Sequence, residues 1–115
     1  MKKFLLSFTY AFNGLRYAFR TQLNFKVHSF SALTVVLLGF WLNISKQDWL
    51  WIFLAIGLVL IVELLNTAIE VLVDFISPEY HPKAGIIKDV SAAAVLLTAI
   101  LSICIGLMVF VPILL

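Results

Sequence analysis

Three long apolar blocks separated by short polar segments dominate the pattern of the chain. The blocks run over about residues 27–42, 49–76 and 86–115. A helix needs about 20 predominantly apolar residues to cross a membrane, so the first block spans only if it is extended at both ends. The pattern predicts three membrane helices, at about residues 26–44, 49–76 and 86–112.

The two connectors between these blocks are polar. The first reads NISKQD (43–48) and the second reads SPEYHPKAG (77–85). Pro78, Pro82 and Gly85 favour turns and oppose a continuous helix. We therefore expect the second connector to be non-helical throughout.

The first 24 residues follow a different, amphipathic pattern. Apolar positions recur at helical spacing, in Phe8, Phe12, Leu15, Phe19 and Leu23. A second stripe is polar and partly cationic, with Thr9, Asn13, Arg16, Arg20 and Asn24. A signal peptide is disfavoured, because the two arginines follow the apolar stretch and no small-residue cleavage site is present. The pattern predicts an amphipathic helix over about residues 3–24 that lies along the membrane surface.

Composition places the chain among integral membrane proteins. It is 63% hydrophobic, against about 45–50% for a typical soluble domain, and its length suits one domain over residues 1–115. The net charge of +2 comes from dispersed basic residues, whereas nucleic-acid binding requires a clustered basic surface. The single cysteine, Cys104, excludes an internal disulfide and does not make a zinc site.

The distribution of basic residues predicts the orientation of the chain. Seven of the eight Lys and Arg residues precede the first span or flank the second connector, and only Lys46 lies in the first connector. Basic residues accumulate on the cytoplasmic side of membranes. We expect a multi-pass membrane protein with its N-terminus in the cytoplasm and its C-terminus outside.

Four polar residues interrupt the second span at helical spacing. They are Glu63, Asn66, Glu70 and Asp74, and they fall within roughly 80° of one another on a helix. Glu63 lies about 18 Å along the helix from Trp51, within the hydrocarbon region. A carboxylate there costs about 2.5 kcal/mol or more, which favours a functional site over a polar contact that only joins helices. Asp74, at the interface, costs little and fits either interpretation.

The start of the third span places further polar groups near the same membrane boundary. Lys88 and Asp89 are expected level with Glu70, close to Glu79 and His81 of the connector. Carboxylates with substrate phosphates bind Mg²⁺, lysines neutralise phosphate charge, and a deeper carboxylate can accept a hydroxyl proton. Phosphoryl transfer from a nucleotide to a lipid alcohol is one hypothesis, although no Gly-rich phosphate loop is present. A small proton-coupled transporter or channel subunit, and a structural assembly subunit, are the alternatives.

Longer motifs carry a family resemblance. The runs VELLNTAIEVLVD (62–74) and PEYHPKAGIIKDVSAAAV (78–95), together with NGLRYAF and NFKVH near the N-terminus, resemble the small bacterial membrane diacylglycerol kinase family, which includes undecaprenol kinases. The resemblance implies a homotrimeric helical bundle in which each protomer has one surface helix and three membrane helices. It also implies a location in the bacterial cytoplasmic (inner) membrane and active sites formed between protomers, with Mg²⁺ as cofactor and ATP as donor on the cytoplasmic side.

The resemblance also assigns roles to individual residues. Glu63 matches the catalytic base, with Asn66 beside it, and both Glu63 and Arg16 match the lipid site. The nucleotide-binding positions are Lys3, Tyr10, Glu70, Glu79, His81, Lys88 and Asp89. Glu70 also matches a metal ligand.

Gln22 departs from the family pattern, and each of the two histidines needs a separate interpretation. Gln22 stands where the family usually has a second metal-binding glutamate, so metal binding is expected to be weaker or to draw on Asp74. His28 is expected to make a satisfied polar contact, and His81 either contacts nucleotide or structures its loop. NFKVH favours undecaprenol over diacylglycerol as the acceptor, and both remain open.

Overall fold

The computed structural model describes all 115 residues, as four α-helices joined by short connectors. The helices are α1 (Lys2–Thr21), α2 (Leu23–Leu42), α3 (Lys46–Ile76) and α4 (Pro82–Leu114). The last three are long and apolar enough to cross a membrane, with mean hydropathies of 1.5, 2.4 and 2.8. The predicted all-α architecture with three helices of spanning length is confirmed.

A single residue, Gln22, separates α1 from α2. Its backbone is extended (φ −110°, ψ 111°), so the chain changes direction there without a loop. Its N–H donates to the Ala18 carbonyl at 2.9 Å, and its own carbonyl accepts from the Lys26 N–H at 3.2 Å. Gln22 therefore ends one helix and begins the next, whereas the sequence predicted that α1 would continue to about residue 24.

The turn between α2 and α3 is short because both helices are capped within it. Asn43 adopts the left-handed conformation (φ 54°), which asparagine tolerates better than most residues. Ser45 then accepts the Asp48 N–H through Oγ at 3.1 Å, the usual role of serine before a helix. As a result α3 begins at Lys46, three residues before the predicted start.

The connector between α3 and α4 is shorter than its prolines and glycine predicted. Pro82 occupies the first turn of α4, where the missing N–H of proline costs nothing. His81 accepts the Lys83 N–H through Nδ1 at 3.1 Å, and Gly85 lies inside the helix. Only residues 77–81 are non-helical, and α4 begins four residues before the predicted position.

Helices α3 and α4 pack antiparallel, and α2 packs against α3. Ser102 of α4 donates to the Ala55 carbonyl of α3 at 3.2 Å. An apolar core of Ile44, Ile52, Val109 and Phe110 joins the helices near the α2–α3 turn, which we call the connector end. The opposite end carries residues 20–26, 70–76 and 82–89, and we call it the polar end.

Little of the chain is buried within one copy. Only 14 of 115 residues are buried, and most large apolar side chains of the three long helices face outward. Apolar outward faces are what a lipid environment or neighbouring membrane helices require. Helix α1 packs against α2 and α3 with Ala18 buried. Its position on the membrane surface and the homotrimer remain predictions.

Candidate active site

The buried polar residues of the chain lie on α3 and α4. They are Glu63, Asn66 and Thr67 of α3 and Ser91 of α4. Exposure rises along the predicted stripe, from 1% at Glu63 and 6% at Asn66 to 63% for the Asp74 side chain. The spacing of 3, 4 and 4 residues therefore produces a polar face that runs from the interior of the bundle to the polar end.

A chain of hydrogen bonds fixes the amide of Asn66. Ser91 Oγ donates to Asn66 Oδ1 at 2.6 Å, and Asn66 Nδ2 donates to Glu70 Oε1 at 3.2 Å. The amide thus has one partner on each side, and these partners determine which way it points. Through this chain α4 holds the half-buried carboxylate of Glu70 on α3.

The carboxylate of Glu63 is buried without a hydrogen bond to either oxygen. His28 of α2 brings Nε2 within 3.4 Å of Glu63 Oε1, a contact at ion-pair distance that lacks hydrogen-bond alignment. Thr67 donates to the backbone carbonyl of Glu63 at 2.9 Å and leaves the carboxylate free. Buried carboxylates are normally paired, so free oxygens at this depth are available to a substrate proton.

At the polar end, Lys88 pairs with Asp74. Its Nζ lies 2.5 Å from Asp74 Oδ1, and both side chains are partly exposed. The sequence predicted Lys88 level with Glu70. The structure places its ammonium group one helical turn further out, because the antiparallel packing of α4 sets Ser91 opposite Asn66. Asp89 is exposed beside it.

The remaining predicted site residues lie on exposed surfaces. Glu79 and His81 belong to the 77–81 connector, where Ser77 Oγ donates to the Glu79 carbonyl at 3.1 Å. The Nδ1 contact of His81 to the Lys83 N–H shows that it structures the loop; nucleotide contact by its exposed side chain remains a prediction. The α1 residues Lys3, Tyr10 and Arg16 are exposed and form no hydrogen bond with the α3 stripe. Arg16 lines a surface cleft of about 570 Å³.

Magnesium binding remains a prediction, and the two residues predicted to hold the ion are Gln22 and Glu70. No three His, Cys, Asp or Glu side chains converge as a metal site within the chain. Gln22 lies about 9 Å along α2 from His28, and Glu70 lies about 10 Å along α3 from Glu63. Because His28 and Glu63 are in contact on antiparallel helices, Gln22 and Glu70 lie at a similar level. One carboxylate and one amide oxygen suit Mg²⁺, which retains several waters and binds nucleotide phosphates.

Two residues of the site were not assigned roles from the sequence. His28 was expected to make a polar contact, but only the packing of α2 on α3 identifies Glu63 as its neighbour. Ser91 has no role assigned from the sequence. The one signal for it was a hydroxyl at the start of an alanine run, three residues after Lys88.

Comparison with known proteins identifies the family. A family model described as prokaryotic diacylglycerol kinase matches residues 9–110. The chain belongs to this family. An undecaprenol kinase of Bacillus subtilis is 42% identical over 112 residues, covering 97% of this chain and 91% of the relative.

Two further relatives of the family bear the name diacylglycerol kinase. The one from Synechocystis is 42% identical over 94% of this chain and 62% of its own length. The one from Escherichia coli K12 is 36% identical over 82% of this chain and 77% of its own length. The chain is therefore a lipid kinase of a bacterial membrane, which favours the kinase hypothesis over a transporter or an assembly subunit.

Proposed function

We propose that this protein transfers the γ-phosphoryl group of ATP to the hydroxyl of a membrane lipid alcohol at the cytoplasmic face. The observation that carries the proposal is the buried carboxylate of Glu63, which has two free oxygens and lies about 10 Å along α3 from Glu70. This separation lets one helix present a base inside the membrane and a charged group at its boundary.

In the proposed reaction Glu63 acts on the lipid hydroxyl. Its carboxylate accepts the hydroxyl proton, the lipid oxygen bonds to the γ-phosphorus, and the bond to the β-phosphate oxygen breaks to release ADP. Burial of Glu63 excludes water, which limits hydrolysis of the nucleotide. Asn66, fixed by Ser91, lies one turn away and helps to align the reacting groups.

The polar end supplies the proposed nucleotide site. Glu70 and Gln22 would hold magnesium, which supplies charge neutralisation at the phosphates. The lysine ammonium groups attract phosphate, and the exposed aromatic ring of Tyr10 offers a surface for the base. The proposed nucleotide-binding residues are Lys3, Tyr10, Glu70, Glu79, His81, Lys88 and Asp89. Arg16 is assigned to the lipid side, where its cleft also exposes aromatic rings.

The proposed assembly is a homotrimer in the bacterial inner membrane. A single chain leaves most of its apolar helix faces exposed and brings no three His, Cys, Asp or Glu side chains together as a metal site. Sites shared between protomers would add polar groups that one chain lacks. The excess of basic residues at the polar end supports its cytoplasmic location.

For the acceptor we propose undecaprenol, with diacylglycerol as the second candidate. The Bacillus subtilis relative named undecaprenol kinase matches nearly the full length of both chains. The Synechocystis diacylglycerol kinase has the same identity over a smaller share of its own length. The NFKVH run at residues 24–28 favours the same acceptor.

A transfer assay with γ-labelled ATP tests the reaction. Purified protein in detergent or nanodiscs is given Mg-ATP with undecaprenol, with diacylglycerol or without lipid, and label in the lipid fraction is measured. We expect label in undecaprenol above that in diacylglycerol. Glu63→Gln should reduce transfer by about 10²- to 10⁴-fold, because general-base catalysis contributes that much.

The control variant is Asp48→Asn, which changes a carboxylate at the connector end of the same helix. It should transfer phosphate at the wild-type rate, and both variants should retain wild-type helicity and oligomer size. More than half of the wild-type activity in Glu63→Gln would exclude Glu63 as the base. Preference for diacylglycerol would overturn the choice of acceptor and leave the reaction class intact.

A further inference from the structure

His28 of α2 contacts the carboxylate of Glu63 on α3. Its Nε2 lies 3.4 Å from Glu63 Oε1, and neither oxygen of that carboxylate has a hydrogen-bond partner. The contact joins α2 to α3 inside the span, where an unpaired charge is costly. An imidazole is suited to this position, because a neutral ring that carries its proton on Nδ1 presents the Nε2 lone pair to accept a proton from the carboxylic acid.

A base sealed inside the protein must lose its proton after each turnover. Glu63 is 1% exposed, whereas the side chain of His28 is 25% exposed. His28 also lines a groove of about 460 Å³ between α2, α3 and α4. On α2 it lies about 6 Å from Asn24, which is exposed near the polar end. The imidazole is thus less buried than the carboxylate that it contacts, and it lies about one helical turn from an exposed residue near the polar end.

We propose that His28 is the positioning partner of Glu63 and the acceptor through which Glu63 releases its proton. This inference rests on the proposed function. The lipid hydroxyl gives its proton to the Glu63 carboxylate as its oxygen bonds to phosphorus. The Nε2 lone pair then takes this proton, which restores the carboxylate and forms an imidazolium. The imidazolium releases a proton to water, and the neutral ring returns for the next cycle.

Other charged groups do not replace His28 in this role. Glu70, the next carboxylate on α3, lies about 10 Å along the helix and is bonded to Asn66. Lys26 lies two residues before His28, and side chains at that spacing do not face each other on a helix. Removal of the imidazole should therefore slow turnover without weakening nucleotide binding.

The test is chemical rescue of His28→Ala in the undecaprenol transfer assay. We expect kcat to fall at least about tenfold, as for loss of a proton-transfer group, while KM for ATP stays within a factor of about two. Added imidazole should restore kcat in a saturable manner, because the groove beside residue 28 has room for the ring. Pyrazole has the same size and is a much weaker base, so it should not restore activity.

Two further variants separate proton transfer from packing. His28→Gln keeps an amide that can donate to Glu63 but cannot carry the proton, so it should fold like the wild type and remain slow. Ser31→Ala changes another residue of the same groove and should retain wild-type kcat. An unchanged kcat in His28→Ala, or equal rescue by pyrazole and imidazole, would overturn the role of His28. A wild-type protein that phosphorylates no lipid alcohol would overturn the proposed function itself, and the inference with it.

Discussion

Asn66 illustrates which features of the site the sequence predicts and which it does not. The 3-4-4 spacing correctly places Glu63, Asn66 and Glu70 on one face of α3 and predicts the order of their burial. The partner groups on the other helices do not follow from spacing on one helix. Ser91 meets Asn66, and His28 meets Glu63, only because of the register in which α4 and α2 pack on α3.

Removal of the Ser91 hydroxyl should weaken metal binding through Asn66. In Ser91→Ala the Asn66 amide loses its donor and can rotate away from Glu70. We expect the magnesium concentration for half-maximal activity to rise about fivefold, which corresponds to about 1 kcal/mol for one hydrogen bond. Activity titrated against magnesium at fixed ATP measures this midpoint.

The control for this effect is Ser102→Ala. It removes another α4 hydroxyl that bonds to α3, but at a backbone carbonyl far from Glu70. Its magnesium midpoint should equal that of the wild type, and Ser91→Thr, which keeps a hydroxyl, should remain close to it. Equal midpoints in Ser91→Ala and Ser102→Ala would exclude the hydrogen-bond chain as the means of holding Glu70.

At the scale of helices, apolar blocks predicted the elements better than turn residues predicted their ends. Each of the three apolar blocks became one helix, since a helix satisfies its own backbone hydrogen bonds inside a membrane. The observed helix ends differed from the predicted ones because capping residues extend the helices into the polar segments. Ser45 begins α3 early, and Pro82 begins α4 where proline was expected only to interrupt structure. Gln22, which has no special sequence signal, ends α1.

Gly39 should be essential for close packing of α2 and α3 at the connector end. A Cβ built there would lie 2.8 Å from Trp49 Cη2 and 3.2 Å from Ile44 Cδ1. Gly39→Ala should therefore lower stability, because overpacking costs about 1–3 kcal/mol against about 1 kcal/mol gained in helix propensity. The midpoint of unfolding in a denaturing detergent titration should fall.

Two companion variants identify the cause of that loss. At Gly57 no side chain or distant backbone atom comes within 4 Å of an added Cβ. The unfolding midpoint of Gly57→Ala should therefore not fall. In the double variant Gly39→Ala/Trp49→Phe, the smaller ring removes the clashing indole atoms and should recover part of the lost stability. A wild-type midpoint in Gly39→Ala would show that the turn can shift to admit a methyl group.

For the whole molecule, three spans and one polar end constrain where the chemistry can occur. Each of the three long helices runs from the polar end to the connector end, so a chain that spans the membrane has these two ends on opposite sides. All proposed nucleotide-binding residues except those of α1 lie at the polar end, on α3, α4 or the 77–81 connector. ATP is available in the cytoplasm, so the proposed function requires this end to face inward.

Cysteine labelling tests that orientation directly. In a Cys104→Ser background, Gln47→Cys marks the connector end and Tyr80→Cys marks the polar end, where Tyr80 is 88% exposed. We expect a membrane-impermeant maleimide to label Gln47→Cys in intact cells and Tyr80→Cys only in inverted vesicles. Neither substitution changes a basic residue, so the charge bias that sets the topology is preserved. Labelling of Tyr80→Cys in intact cells would place the nucleotide site outside the cell and exclude cytoplasmic ATP as the phosphoryl donor.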